Sequence, residues 1–207
     1  MERLRHHGVI VILILIGLIW SVPGCDRIGS SRPLPPIAVC FSPRGGCTEA
    51  VVDEIDRATT SIQVQAYSFT SAPIAKALVE AHQRGVHVEV ILDQSQETEK
   101  YSSGDFLVHA SILTLVDGRH AIAHNKVMIL DGNTVITGSF NFTKAAEESN
   151  AENLLVIRDS AIAEEYAANW QQHALHSTPY ERKQPAESRA KSPATKKTKA
   201  GTRKAND

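Results

Sequence analysis

Residues 124–142, HNKVMILDGNTVITGSFNF, restrict what this chain can fold into more than any other stretch. After its first lysine, Lys126–Leu130 is an unbroken apolar run. Asp131-Gly132-Asn133 supplies turn residues, and Thr134–Phe140 is rich in β-branched and aromatic side chains. That order reads as a β-hairpin. With Gly132 and Asn133 as a two-residue loop, Asp131 pairs with Thr134, Lys126 lies opposite Ser139, and His124 lies opposite Asn141. Side chains two apart on a strand share a face. The register therefore predicts one polar patch of His124, Lys126, Ser139 and Asn141. Asp131, at odd spacing from Lys126, is expected on the other face as an orienting or turn-capping group. Gly138 leaves space for close backbone approach.

These residue types suit a phosphodiester. A histidine can attack phosphorus and form a covalent intermediate, and a second can protonate the leaving oxygen. Ammonium, hydroxyl and amide donors can stabilise charge on the non-bridging oxygens without a metal. The spacing H-x-K-x₄-D-x₆-G-S, with Asn141 two residues later, resembles the signature of the phospholipase D superfamily, in particular its short bacterial nuclease-like members. The flanks AYSFTSAPIAKALVEAHQRGVHVEVILD (66–93), GSFNFTKAAEESNAENLLV (138–156) and NWQQH (169–173) extend the resemblance to about residues 37–175. It implies His124 as nucleophile and Lys126, Ser139 and Asn141 as phosphate-binding groups. Asp131 matches the motif aspartate, and Glu152 matches a glutamate that contacts and orients the histidine.

In-line displacement needs two histidines on opposite sides of phosphorus, yet the motif occurs once. His82, His87, His120, His173 and His176 lack the accompanying lysine and serine. A two-fold homodimer with one His124 from each subunit in a shared site is the expected solution. The resemblance implies the same for single-motif members. A monomeric enzyme would need His120 as the substitute.

The net charge of −1 excludes a uniformly basic nucleic-acid binder, but the charge is uneven. Between Arg182 and Lys204 nine basic residues face a single Glu187. With Ala, Ser, Thr and Pro between them, this reads as a disordered tail, either solubilising or attracted to phosphates or an anionic membrane. Gly8–Val22 is almost wholly apolar behind Arg3 and Arg5, which fits a signal-peptide core better than a full membrane span. Val22-Pro23-Gly24-Cys25 resembles a lipoprotein cleavage site, with Cys25 as the lipidated residue. Cleavage, lipidation and retention as an anchor stay open, and export to the periplasm or inner membrane of a bacterium is the expectation. Cys40 and Cys47 flank FSPRGG, and a disulfide between them is expected in an oxidising compartment. The cysteines show no zinc-finger spacing and no His/Asp cluster suggests a metal, so no cofactor is expected.

Strands alternate with helices around one hairpin, which predicts an α/β fold, a layered α-β-α domain with a mixed sheet. The expected boundaries are 1–25 for a signal peptide or anchor, 26–36 for a linker, 37–178 for the catalytic domain and 179–207 for the tail. Within the domain, Thr48 is expected to cap the first helix, Ser71 the second, and 94–105 to be an irregular segment suited to substrate selection. Tyr67, Ser68 and Phe69 end a strand beside the cleft, and Arg119 sits in a surface turn before the active strand. The leading expectation is a phosphodiesterase acting on DNA or RNA. The alternative is a phospholipase D converting phosphatidylcholine-type lipids to phosphatidic acid, and a non-catalytic nucleic-acid-binding module ranks third.

Overall fold

A computed structural model describes residues 36–182. The expected signal peptide or anchor, Cys25, most of the linker and the tail from Lys183 onward lie outside the described residues. Among those described, no helix is long and apolar enough to cross a membrane.

The strands are β1 (Ile37–Ser42), β2 (Ser61–Ala66), β3 (His87–Asp93), β4 (Leu113–Asp117), β5 (Lys126–Leu130), β6 (Thr134–Gly138), β7 (Glu152–Arg158) and β8 (Thr178–Pro179). The helices are α1 (Cys47–Arg57), α2 (Ala72–Gln83), α3 (Gly104–His109), α4 (Lys144–Glu148) and α5 (Ser160–Ala174), with a short 3-10 turn at Gln94–Glu97. One sheet takes the order β1-β7-β6-β5-β2-β3-β4-β8. β2, β3 and β4 are parallel, and every other neighbouring pair is antiparallel. The sheet is therefore mixed, as expected.

Both faces are covered, which is why β5 is buried along its whole length rather than alternating. Met128 and Leu130 join Ile62, Val64, Val51, Ile55, Ile74 and Leu78 in the larger core, under α1 and α2. Val127 and Ile129 pack on the opposite side with Ala163 and Trp170 of α5. The Trp170 indole N–H donates to the Val64 carbonyl at 2.9 Å, which fixes α5 across the centre of the sheet.

The helix starts differ in part from the sequence reading. Ser71 does stand at the N-cap of α2, with proline in the first turn. At α1 the N-cap is Gly46, not Thr48. A distant carboxylate does the capping: Glu147 of α4 accepts from Gly46 N at 3.0 Å and from Thr48 N at 2.7 Å. Cys40 and Cys47 are joined by a disulfide that ties β1 to the first residue of α1. The folded part also runs beyond residue 178. Thr178 and Pro179 pair with β4, and Tyr180 is buried against Gly104. Contacts to the domain continue through Arg182, which bonds Asp105 at 2.6 Å.

Candidate active site

The hairpin exists, but its register is shifted by one residue from the expectation. Leu130 pairs with Thr134, Ile129 with Val135 and Met128 with Ile136. Asp131, Gly132 and Asn133 thus form a three-residue loop, closed by Asn133 N donating to Leu130 O at 3.1 Å. Asp131 and Gly132 both have left-handed backbone, φ 51° and 64°. A contact far off in sequence explains why an aspartate accepts that conformation. Its carboxylate accepts from the backbone N–H groups of Thr59, Thr60 and Ser61 and from the hydroxyls of Thr59 and Thr60, at 2.8–3.2 Å. Burial alone would raise its pKa, but those hydrogen bonds dominate and lower it from 3.8 to about 2. Asp131 stands roughly 17 Å from Lys126, at about 3.4 Å per residue, at the opposite end of the strand.

The other five residues singled out in the sequence do meet. His124, Lys126, Ser139, Asn141 and Glu152, together with Gly138, line an open cleft of about 420 Å³. In the true register, strict alternation would put Ser139 across the sheet from Lys126. A bulge removes that conflict: Ser139 N and Phe140 N both donate to Asn153 O at 3.1 Å, so two residues of one strand oppose one of the other. Gly138 makes the bulge feasible. Its φ is 146°, and a Cβ there would lie 2.3 Å from Asn153 O.

Lys126 is buried and His124 is exposed. The Lys126 ammonium lies 3.0 Å from His124 Nδ1 and donates to the His124 carbonyl at 2.7 Å. Burial lowers the Lys126 pKa, and the negative charge of Glu152 partly restores it. The Tyr67 ring packs 4.6 Å from the His124 ring and 5.0 Å from the ammonium, a cation–π contact. Tyr67 therefore borders His124, whereas Phe69 is wholly buried in the core. Ser139 Oγ donates to Glu152 at 2.6 Å and accepts from Asn153 N at 3.1 Å. The other Glu152 oxygen accepts from Asn150 Nδ2 at 3.0 Å. Glu152 thus positions Ser139 directly and reaches His124 through the charge of Lys126. The amide oxygen of Asn141 is buried without a hydrogen-bond partner. Amide oxygen and nitrogen exchange by a simple flip, so this end of Asn141 can serve as a donor to an incoming anion.

Residues 118–125 carry His124 across the ends of three strands and are pinned at each. Arg119 N donates to Asp117 at the end of β4, and Ala123 N donates to Asp93 at the end of β3 at 2.8 Å. Asn125 bonds Gln65 through its side chain at 3.0 Å and accepts from Tyr67 N at 2.8 Å. His120 does not reach the cleft. It joins His173 and His176 around the buried Asp117, and Arg119 lines the depression there. The absence of a His/Asp cluster expected from the sequence is corrected by this group. Its only trace is D-x₂-H at 117–120 and H-x₂-H at 173–176, which over fifty residues separate.

An exposed imidazole beside a fixed ammonium, hydroxyl and amide is equipment for phosphodiester hydrolysis, and the relatives of the chain are enzymes of that class. The cardiolipin synthase, PLD-like domain family matches residues 51–174, and the chain belongs to this phospholipase D-like family. It is a phosphodiester hydrolase of the phospholipase D superfamily. A phospholipase D of Rickettsia felis is 47% identical over 134 residues, 65% of this chain and 67% of that protein. A mitochondrial cardiolipin hydrolase of Xenopus laevis is 32% identical over 136 residues, 66% and 61% of the two chains. Among solved structures, the phospholipase D family member Nuc from Salmonella typhimurium aligns with a TM-score of 0.68 and 41% identity, covering 70% of this chain and 97% of that one. NucT from Helicobacter pylori, at 24% identity and a TM-score of 0.65 over 70% of this chain and 98% of that one, shares the fold.

Proposed function

We propose that the chain hydrolyses phosphodiester bonds of DNA or RNA through a phosphohistidine on His124, with no metal ion in the reacting site. The observation that carries the choice of substrate is the lining of the cleft. The side chains that line it, His124, Lys126, Ser139, Asn141 and Glu152, are all polar or charged around Gly138, which suits the hydrophilic backbone of a nucleic acid.

Nε2 of His124 attacks phosphorus, the bond to the leaving oxygen breaks, and a second histidine gives that oxygen its proton. The same histidine then takes a proton from water, water attacks phosphorus, and the P–N bond breaks. Lys126, Ser139 and Asn141 hold the non-bridging oxygens. The Lys126 ammonium faces His124 Nδ1 at 3.0 Å; the nucleophile needs its Nε2 bare, and the general acid is the imidazolium, which gives one proton to the leaving oxygen and becomes neutral. A phosphate that draws Lys126 away leaves the ring free to take the nucleophilic form. Since His120 is engaged elsewhere, the second histidine is His124 of a second copy, in a homodimer sharing one site. Residues 1–25 carry the chain out of the cytoplasm, as a cleaved signal, a lipoprotein leader ending at Cys25, or a retained membrane anchor.

A second reading keeps the chemistry and changes the substrate to a phospholipid headgroup. The Rickettsia relatives called phospholipase D favour it, as does Ile122, 57% exposed and two residues from His124. Purified full-length chain and its His124→Ala variant, given plasmid DNA, RNA and phosphatidylcholine vesicles, separate the readings. Nucleic-acid cleavage with substrate phosphorus acid-trapped on wild-type protein, and neither in the variant, supports the first. Turnover of vesicles alone supports the second. Undiminished activity in the variant overturns both, and a strictly monomeric active species overturns the shared site.

A further inference from the structure

Three strands along from β5, or roughly 14 Å at about 4.8 Å per strand, the same rim of the sheet carries a second polar centre. We propose that Asp117, His120, His173 and His176 form a binding site for one zinc ion. One donor atom from each of the four lies within 4.8 Å of every other. A tetrahedral zinc with bonds of about 2.0–2.2 Å needs its donors roughly 3.3 Å apart. The three imidazole contacts to Asp117 reach up to that value: 2.7 Å from His173 Nδ1 and 2.9 Å from His120 Nδ1 to Oδ2, and 3.3 Å from His176 Nε2 to Oδ1. Small rotations of the rings, whose centroids lie 4.9–5.5 Å apart, bring the set onto a common ion.

The surroundings are those of a held ligand set rather than a surface coincidence. The Asp117 side chain is completely buried, and Oδ1 accepts from the backbone N–H of Arg119, which orients the carboxylate from behind. His176 Nε2 is buried 3.3 Å from Asp117 Oδ1 and makes no hydrogen bond of good geometry, which leaves it available to a ligand. His120 is 46% exposed and opens on a depression of about 360 Å³ lined by Arg119, His120, Gln172, His173, Leu175 and His176, which gives an ion its way in. Nitrogen and oxygen donors of this mix suit zinc, and four protein ligands close the coordination shell.

A closed shell at this distance from His124 takes no part in phosphoryl transfer. It joins the end of β4, the segment leading to His124, and the turn after α5. The zinc therefore acts as a clamp on residues 118–125, and its removal reaches His124 only through the order of that segment.

The test is metal content and affinity on full-length chain, stripped with chelator and then titrated with zinc chloride. Wild type should retain one equivalent after exhaustive dialysis, with a rise in melting temperature. The same stoichiometry in His124→Asn would keep the ion apart from the reactive cleft. His173→Asn with His176→Asn should lose the equivalent. If that pair fails to fold, His120→Ala at its half-exposed position should weaken zinc affinity by about a hundredfold or more, beyond the cost of losing an outer-shell partner. No retained equivalent in wild type, or equal retention in folded ligand variants, overturns the proposal.

Discussion

The two ends of the β5–β6 hairpin treat their polar groups in opposite ways. At the tip, Asp131 receives hydrogen bonds from five donor groups of Thr59, Thr60 and Ser61, and nothing is left over for a ligand. At the other end, His124 stands exposed, Lys126 is buried with a lowered pKa, and one end of the Asn141 amide has no partner. Saturated groups hold a fold, and groups left wanting partners are where an incoming anion gains most. One motif thus supplies residues for two jobs, and the difference shows in their hydrogen bonding rather than their spacing.

The largest effect expected is at the unsaturated end. His124→Ala should lower turnover on the order of 10⁴-fold or more while leaving the melting curve nearly unchanged. A variant that melts early would mean that the histidine also holds the fold, and the contrast would break. Gly138→Ala comes next and should damage both properties. Its φ of 146° and the 2.3 Å approach to Asn153 O predict a loss of about 1–3 kcal/mol in denaturant melts. Displacement of Ser139 should cost roughly a hundredfold in turnover. Asp131→Asn should show the converse of His124→Ala: about 1–3 kcal/mol less stable, with turnover within severalfold where the fold persists. Because its folded pKa is lowered to about 2 from 3.8, the stability that Asp131 contributes is complete above about pH 4 and lost as pH falls through about 2. Wild type and Asp131→Asn should therefore converge in stability across that window. The smallest effect is on the alkaline limb of the pH–rate profile. Lys126 should lose its proton below the ordinary 10.5, and Glu152→Gln should move the limb lower still by removing the charge that opposes the shift.

Much of the site was legible because it is local. Helix and strand order and the existence of the hairpin follow from short-range pattern, while His124, Lys126, Ser139 and Asn141 were marked by the motif and Glu152 by the resemblance alone. The register was not. Asp131 enters its left-handed loop position because of Thr59–Ser61, seventy residues away, and no turn rule contains that partner. The capping of α1 by Glu147 and the short strand β8 have the same origin. The His/Asp group escaped because its halves are two unremarkable triplet spacings that only the packing of α5 against β4 brings together.

The placement of the hairpin in the sheet has a consequence for how the enzyme fails. β5 and β6 are interior strands, bonded on both sides, to β2 and to β7. Interior strands of a packed sheet open at close to the global unfolding free energy, while peripheral segments open more cheaply. Amide hydrogens of Val127–Leu130 and Val135–Thr137 should thus exchange only as slowly as the whole domain unfolds. On heating, the strand that carries Lys126 should hold until the domain unfolds as a whole, so any earlier loss of activity would come from the segment bearing His124 or from separation of the two copies.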